Sequence, residues 1–383
     1  MTTLIKNRIA VSGLFLMNGF LYASWTSRLP ELQKHFGINN AALGTVLFCI
    51  ALGSMIAMPV SGWLASKFGS AKMTILWSAL FILSVPFIAI FQNIWTVRLT
   101  FFVFGICTGS MDITMNGQAV LVERLWGKSI FSSFHAIFSI GMTLGAVSGS
   151  LFSKNSICLT HHLLYVVAMA LALLLWCAQH LIKDAPATKE NSAGITRQTF
   201  KVILPFGIMA LCCMTGEGSM VDWSAIFAHK AIGQSLEVSS WALGTFGIAM
   251  TLGRTVGDYF INKWGKFTML VFDAAVATTG MCIMIGFTNV YVCYAGIFLI
   301  GTGLSTIVPI VFSSAGNIKG IAPSLGISVA SSIGYAGFFV GPPVIGYLSE
   351  AYGMRPAFGF VLLLFVVLIS ILPIVKKSVN ILN

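Results

Sequence analysis

The sequence predicts an all-α membrane protein with twelve transmembrane helices in two pseudo-symmetric six-helix bundles. Three observations predict it. Of 383 residues, 57% are hydrophobic and only 9% are charged, against about 25% charged in soluble domains. Apolar runs long enough to cross a hydrocarbon core of about 30 Å as helices cover nearly the whole chain. Short motifs also recur at corresponding places in the two halves. A β-barrel would instead need alternating segments of about ten residues.

The spans cover residues 9–28, 40–63, 73–92, 96–121, 130–153, 160–182, 202–227, 239–260, 267–287, 290–314, 322–348 and 355–375. Lys6 and Arg8 precede the first, as in a signal peptide, but no clear small-residue cleavage site follows before Ser24, so it reads as an uncleaved helix. Most connections are short, which makes consecutive helices antiparallel neighbours. Between spans six and seven stands the longest polar stretch, Lys183 to Gln198, which reads as a linker. The expected organisation is a bundle at 1–182, a cytoplasmic linker at 183–200 and a second bundle at 201–383. In span ten, Pro309 predicts a kink.

An even number of spans puts both termini on one side. With the termini inside, sixteen lysines and arginines fall on cytoplasmic segments, Arg254 among them, and six on the opposite side. This bias predicts cytoplasmic termini. It also accounts for the net charge of +11: the bases are scattered through loops and form no nucleic-acid motif. The eight cysteines lie mostly inside apolar runs without C-x-x-C spacing. They read as small buried hydrophobes, with no disulfide framework or metal site. No cofactor is implied. The absence of a metal cluster, a G-x-S-x-G motif or a phosphate loop argues against an enzyme.

"ALGT" occurs at Ala42–Thr45 and again at Ala242–Thr245, each opening the second helix of its half. Leu52-Gly53 and Leu252-Gly253 follow, and "SIG" appears at Ser139–Gly141 and Ser332–Gly334. Repeated matches at offsets near 200 point to a duplicated six-helix unit. Secondary transporters are built this way, with a substrate site near the membrane midplane at the repeat interface.

The loop "GWLASKFGSAK", Gly62 to Lys72, resembles the signature loop of the major facilitator superfamily (Gly, three residues, Asp, a base, one residue, Gly). Gly62, Lys67 and Gly69 match, while Ser66 stands at the Asp position. The corresponding "GDYFINKWGK" keeps Gly257, Lys263, Gly265 and Lys266 with one extra residue, and Asp258 follows its first glycine. The resemblance implies a cytoplasmic gate at these residues, and Ser66 puts the usual carboxylate lock in doubt. "SRLPELQKHFG", "MDITMNGQAVLVER", "FHAIFSIG" and "VGPPVIGYLSEAYGMRPAF" resemble the bacterial branch near the fucose-permease and rhizopine-associated transporters. That branch implies a bacterial inner-membrane protein, monomeric, moving sugars, polyols or similar solutes, often with protons.

Polar groups inside the spans are the candidate functional residues, because a lipid-facing Asp costs about 2.5–3.5 kcal/mol on the insertion scale. Thr108, Asp112 and Asn116 are spaced by four and share a helix face. Ser132, His135 and Ser139 form a similar stripe in span five, at a depth comparable to Asp112. An Asp beside a His suits a proton relay; an inter-helix polar clamp is the alternative. Glu217, flanked by Gly216 and Gly218, is a second coupling or substrate candidate, and Asp222 nearer the rim is a gate candidate. Asn18, Tyr22 and Trp25, with Thr302, Thr306, Ser328 and Tyr335, are candidate cavity-lining residues for a polyhydroxylated solute. Packing through small residues is the competing reading of the hydroxyls. Asp273 and Arg98 read as structural.

The sequence thus predicts proton-coupled import of a small polar solute by alternating access. Two alternatives stay open: a proton-driven exporter of drugs or metabolites, and a non-transporting membrane sensor.

Overall fold

The computed structural model describes residues 3–26, 28, 32, 35–37, 40–91, 93–184, 196–234 and 241–382. Most of the linker segment, 185–195, lies outside them. Among the described residues the regular structure is helical. In the first half, α1 runs Thr3–Thr26, α2 Asn40–Phe68, α3 Ser70–Ser84 with a 3-10 turn at Val85–Ala89, α4 Ile94–Trp126, α5 Phe131–Lys154 and α6 Leu159–Ala178. In the second, α7 runs Arg197–Ile232, α8 Trp241–Trp264, α9 Lys266–Gly286, α10 Val290–Leu304, α11 Ile307–Gly316, α12 Pro323–Tyr352 and α13 Met354–Leu382.

Eleven of these segments are long and apolar enough to cross a membrane, α10 and α11 together making one. The twelfth expected span, α8, has the length, but Arg254, Asp258 and its glycines lower its hydropathy. Helices α4 and α7 exceed the expected spans, at 33 and 36 residues. At 1.5 Å per residue each is roughly 50 Å long, well beyond the hydrocarbon core. Their ends are set by caps. The Asn93 side chain accepts from Trp95 N at the start of α4, and Gly127, in left-handed conformation, ends it. Thr196 and Gly233 do the same for α7.

By contacts the chain divides into two compact units. One comprises Met1–Ile130, Phe134–Gly194 and Gly320–Ser328; the other comprises Phe131–Ser133, Ile195–Lys319 and Val329–Asn383. In the first, α2 and α3 pack on α4, and α1 on α6; in the second, α8 and α9 pack on α10, and α13 on α7.

The repeat shows in close detail. Gly69 and Gly265, 196 residues apart, both have positive φ (91° and 83°) and cap the following helix. Asn93 and Asn289, at the same separation, cap α4 and α10. A Cβ on Gly105 would collide with the Ile50 carbonyl, and one on Gly301 would fall 2.7 Å from the Phe246 carbonyl, again the same separation. Glycine is needed at both for helices to approach this closely. The "ALGT" match, offset by 200, is therefore out of structural register by about one helical turn.

Candidate functional site

In the first unit, α4 carries the Asp112 stripe. Asn116 is fully buried, and its Nδ2 donates to the Asp112 carbonyl at 2.8 Å and to Asp112 Oδ1 at 3.1 Å. The i, i+4 spacing thus produces an intrahelical amide–carboxylate contact, with Asp112 and Thr108 only half-buried. His135 sits edge-on to the Phe15 ring, centroids 5.2 Å apart, and its carbonyl accepts from Ser139 at 3.1 Å. Asn18 is buried at 5% exposure, while Tyr22 is half-buried and packs edge-on to Trp25. Trp25 does not line an open face. It is fully buried against Phe101 and Phe104, its indole N–H without a hydrogen-bond partner among the described residues.

In the second unit the decisive helix is span ten. It is not one kinked helix but two, α10 and α11, parted at Ser305–Thr306. Pro309 explains the break: it has no N–H to give the Ser305 carbonyl four residues earlier. That carbonyl accepts instead from Arg254 Nε of α8 at 3.4 Å. Arg254 Nη2 also meets Glu217 Oε1 of α7 at 3.2 Å, their side chains 11% and 22% exposed. The placement of Arg254 among the cytoplasmic bases is corrected: it lies inside α8, ten residues before the helix end. The two glycines beside Glu217 admit aromatic rings. A Cβ on Gly216 would fall 2.6 Å from Phe365, and one on Gly218 2.7 Å from Phe338.

Thr306, at the break, is also fully buried, and its hydroxyl donates to Asp273 Oδ2 of α9. It is therefore an anchor within the unit and not a cavity wall. Ser328 is likewise fully buried, close against Gly62. Thr302 and Tyr335 are half-buried, Thr302 bonding to the Phe298 carbonyl and Tyr335 packing on Phe338. Asp222 is exposed.

The loop residues form two carboxylate caps. Asp184 accepts from Ser70 N at 2.8 Å and Ala71 N at 3.2 Å, beside Gly69, at the start of α3. Gln118 joins this cluster, donating to Ser70 Oγ at 2.7 Å and to the Ile182 carbonyl at 2.9 Å. In the second unit, Asp258 accepts from Ser132 N at 2.9 Å and Ser133 N at 2.7 Å, capping the first turn of α5. Negative charge at a helix N-terminus is favourable. Lys67 and Lys263 are exposed and lie over Trp63 and Tyr259. Sequence reading missed the Arg254–Glu217 pair and the Asp184 cap. The signal that could have found the former is that residue 254 falls within the expected span 239–260, although Arg254 is counted among the cytoplasmic bases.

A family model described as the Major Facilitator Superfamily matches residues 11–320. The chain belongs to that superfamily. Its members are multi-pass membrane transporters of small-molecule solutes. This superfamily chain is 31% identical over 360 residues to an uncharacterized MFS-type transporter of Yersinia pestis, covering 94% of this chain and 93% of that one. It is 28% identical to the membrane protein MosC of Rhizobium meliloti, covering 92% and 86%. To the quinolone resistance protein NorA of Staphylococcus aureus it is 24% identical, covering 86% of each. The crystal structure of the E. coli fucose:proton symporter FucP shares the fold, with TM-score 0.77 at 16% identity over 97% of this chain and 99% of that one. The matches to MosC and FucP agree with the branch to which the sequence motifs pointed.

Proposed function

We propose that this superfamily member is a secondary active transporter that moves a small polar solute, a sugar, polyol or similar molecule, with protons by alternating access across a bacterial inner membrane. Both termini are cytoplasmic in this reading, and the chain works as a monomer. The observation that carries it is the half-buried Asp112 carboxyl inside α4, held by Asn116 where lipid exposure would be costly. Asp112 carries the coupling proton, with His135 as its relay. Asn18, Tyr22, Thr108 and Ser139 in the first unit, and separately Thr302 and Tyr335 in the second, offer neutral hydrogen bonds and ring faces of the kind a polyhydroxylated solute needs. Glu217 and Arg254 supply a balanced ion pair in the second bundle. Gly62, Lys67 and Gly69 serve as gate residues of the first unit, and Asp258, Lys263 and Gly265 as those of the second. The FucP likeness supports symport of a sugar, since that neighbour is named a fucose:proton symporter.

The test is uptake of radiolabelled fucose and a panel of hexoses and polyols into proteoliposomes under an imposed pH gradient. Accumulation that collapses with a protonophore is the expected result. The likeness to NorA favours a second reading, proton-driven export. Resistance to quinolones on expression, with no gradient-driven sugar accumulation, would support that reading and overturn the first.

A further inference from the structure

The break in span ten is held by two carboxyl groups, one through a cation and one directly. Glu217 acts through Arg254, which reaches the Ser305 carbonyl. Asp273 acts on the Thr306 hydroxyl. Asp273 is fully buried, and its Oδ1 is sealed without a hydrogen-bond partner among the described residues. A charged carboxylate with one oxygen dry and unbonded is far costlier than the neutral acid in the same place. Glu217 has its charge balanced already; Asp273 has only a hydroxyl.

The surroundings say which element would have to yield for the acid to ionise. Helices α9 and α10 are tightly closed around it: a Cβ on Gly303 would fall 2.6 Å from the Asp273 carbonyl and clash with Ala277 N. The break beside Thr306 is the loose joint, since Pro309 removes the ladder bond there. The first half has no counterpart. Helix α4 is continuous, and the position 196 residues before Asp273 is Trp77. Cys213 of α7 bonds through its thiol to the Leu304 carbonyl beside the break at 3.6 Å. Other charges on helices packed against α9 lie toward its ends: Lys376 over Phe267 at one, and Arg355 on the Ile285 carbonyl at the other. At that second end Cys293 bonds to the Phe287 carbonyl, with Tyr291 and Tyr294 on the same helix. On α8, Asp258 and Lys263 follow Arg254 toward the helix end. Helix α11 carries no titratable side chain.

We propose that Asp273 is a proton-binding site, neutral in this conformation, and that its release of the proton to water is coupled to movement of the Ser305–Thr306 break. It rests on the proton-coupled reading above and adds a second proton site to it. The test needs no solute, so its failure and the failure of the transport reading are distinguishable. Infrared spectra of the purified protein in lipid nanodiscs, recorded against pH, should contain a neutral-carboxyl C=O band that Asp273→Asn removes and Glu217→Gln leaves. Thr306→Val keeps the acid and removes its donor, so the band should persist and move to higher frequency. Deuterium exchange at Ser305 and Thr306 should show a pH-dependent step in the parent that is lost in Asp273→Asn. If Asp273→Asn proves unstable, the Thr306→Val band shift decides the protonation state. A neutral-carboxyl region unchanged by Asp273→Asn, or by Thr306→Val, would overturn the site. Exchange at the break with no such step in the parent, or with a step that survives Asp273→Asn, would overturn the coupling.

Discussion

Arg254 donates to the Ser305 carbonyl at 3.4 Å, taking a place that a helical N–H would fill were residue 309 not proline. The contact is long and individually weak. Its importance lies in joining the Glu217 carboxyl, through one guanidinium, to the only interruption of span ten among the described residues.

Pro309→Ala restores the missing N–H. The expected outcome is a continuous span ten and a rise in Tm equivalent to about 1 kcal/mol. Turnover should fall by on the order of tenfold, about 1.4 kcal/mol on the barrier, because the joint has stiffened. Thermal unfolding in detergent and initial uptake rates check the two effects together. A variant that is both more stable and fully active would remove the break from the mechanism.

Arg254→Ala strands the Glu217 carboxylate in a partly buried place. Breaking a fully buried pair costs about 3–5 kcal/mol; with Glu217 at 22% side-chain exposure, about 2 kcal/mol is expected. Adding Glu217→Gln should recover part of that loss. A double-mutant cycle read by thermal unfolding measures the coupling directly.

Asp258→Ala leaves Ser132 N and Ser133 N without their carboxylate. The expected cost is about 1 kcal/mol. Amide exchange at these two positions should speed up, while exchange at the Asp184-capped start of α3 stays unchanged. Asp184→Ala should give the converse pattern.

Gly105→Ala should destabilise more than Gly301→Ala, although the two occupy equivalent places in the repeat. At Gly105 the new methyl runs into the Ile50 carbonyl, a backbone atom, more closely than at Gly301, where the distance is 2.7 Å. Overpacking of this kind costs about 1–3 kcal/mol. Melting temperatures of the two variants in one detergent decide the order.

Much of this architecture was legible in the sequence because hydrophobic length and period-four spacing are local properties. The Asp112–Asn116 contact follows from i, i+4 alone. Pro309 marked the interruption, while Gly216 and Gly218 beside Glu217 turn out to admit the Phe365 and Phe338 rings. What escaped depends on helix rotation. Arg254 reads as a positive-inside residue until α7 and α8 are set side by side. Asp273 reads as an isolated structural acid because its partner, Thr306, is 33 residues away. Trp25 reads as an amphipathic wall because nothing local reveals Phe101 and Phe104 closing over it. Literal identity misled on register as well, since "ALGT" repeats about one turn away from the equivalent glycine contacts.

The central claim is that the carboxyl in α4 carries the coupling proton. Proteoliposomes containing the parent or Asp112→Asn, preloaded with a solute the parent accumulates, measure gradient-driven accumulation and solute–solute exchange side by side. The account predicts that Asp112→Asn retains exchange within about twofold and loses accumulation against the pH gradient. Accumulation by Asp112→Asn equal to the parent's would contradict it.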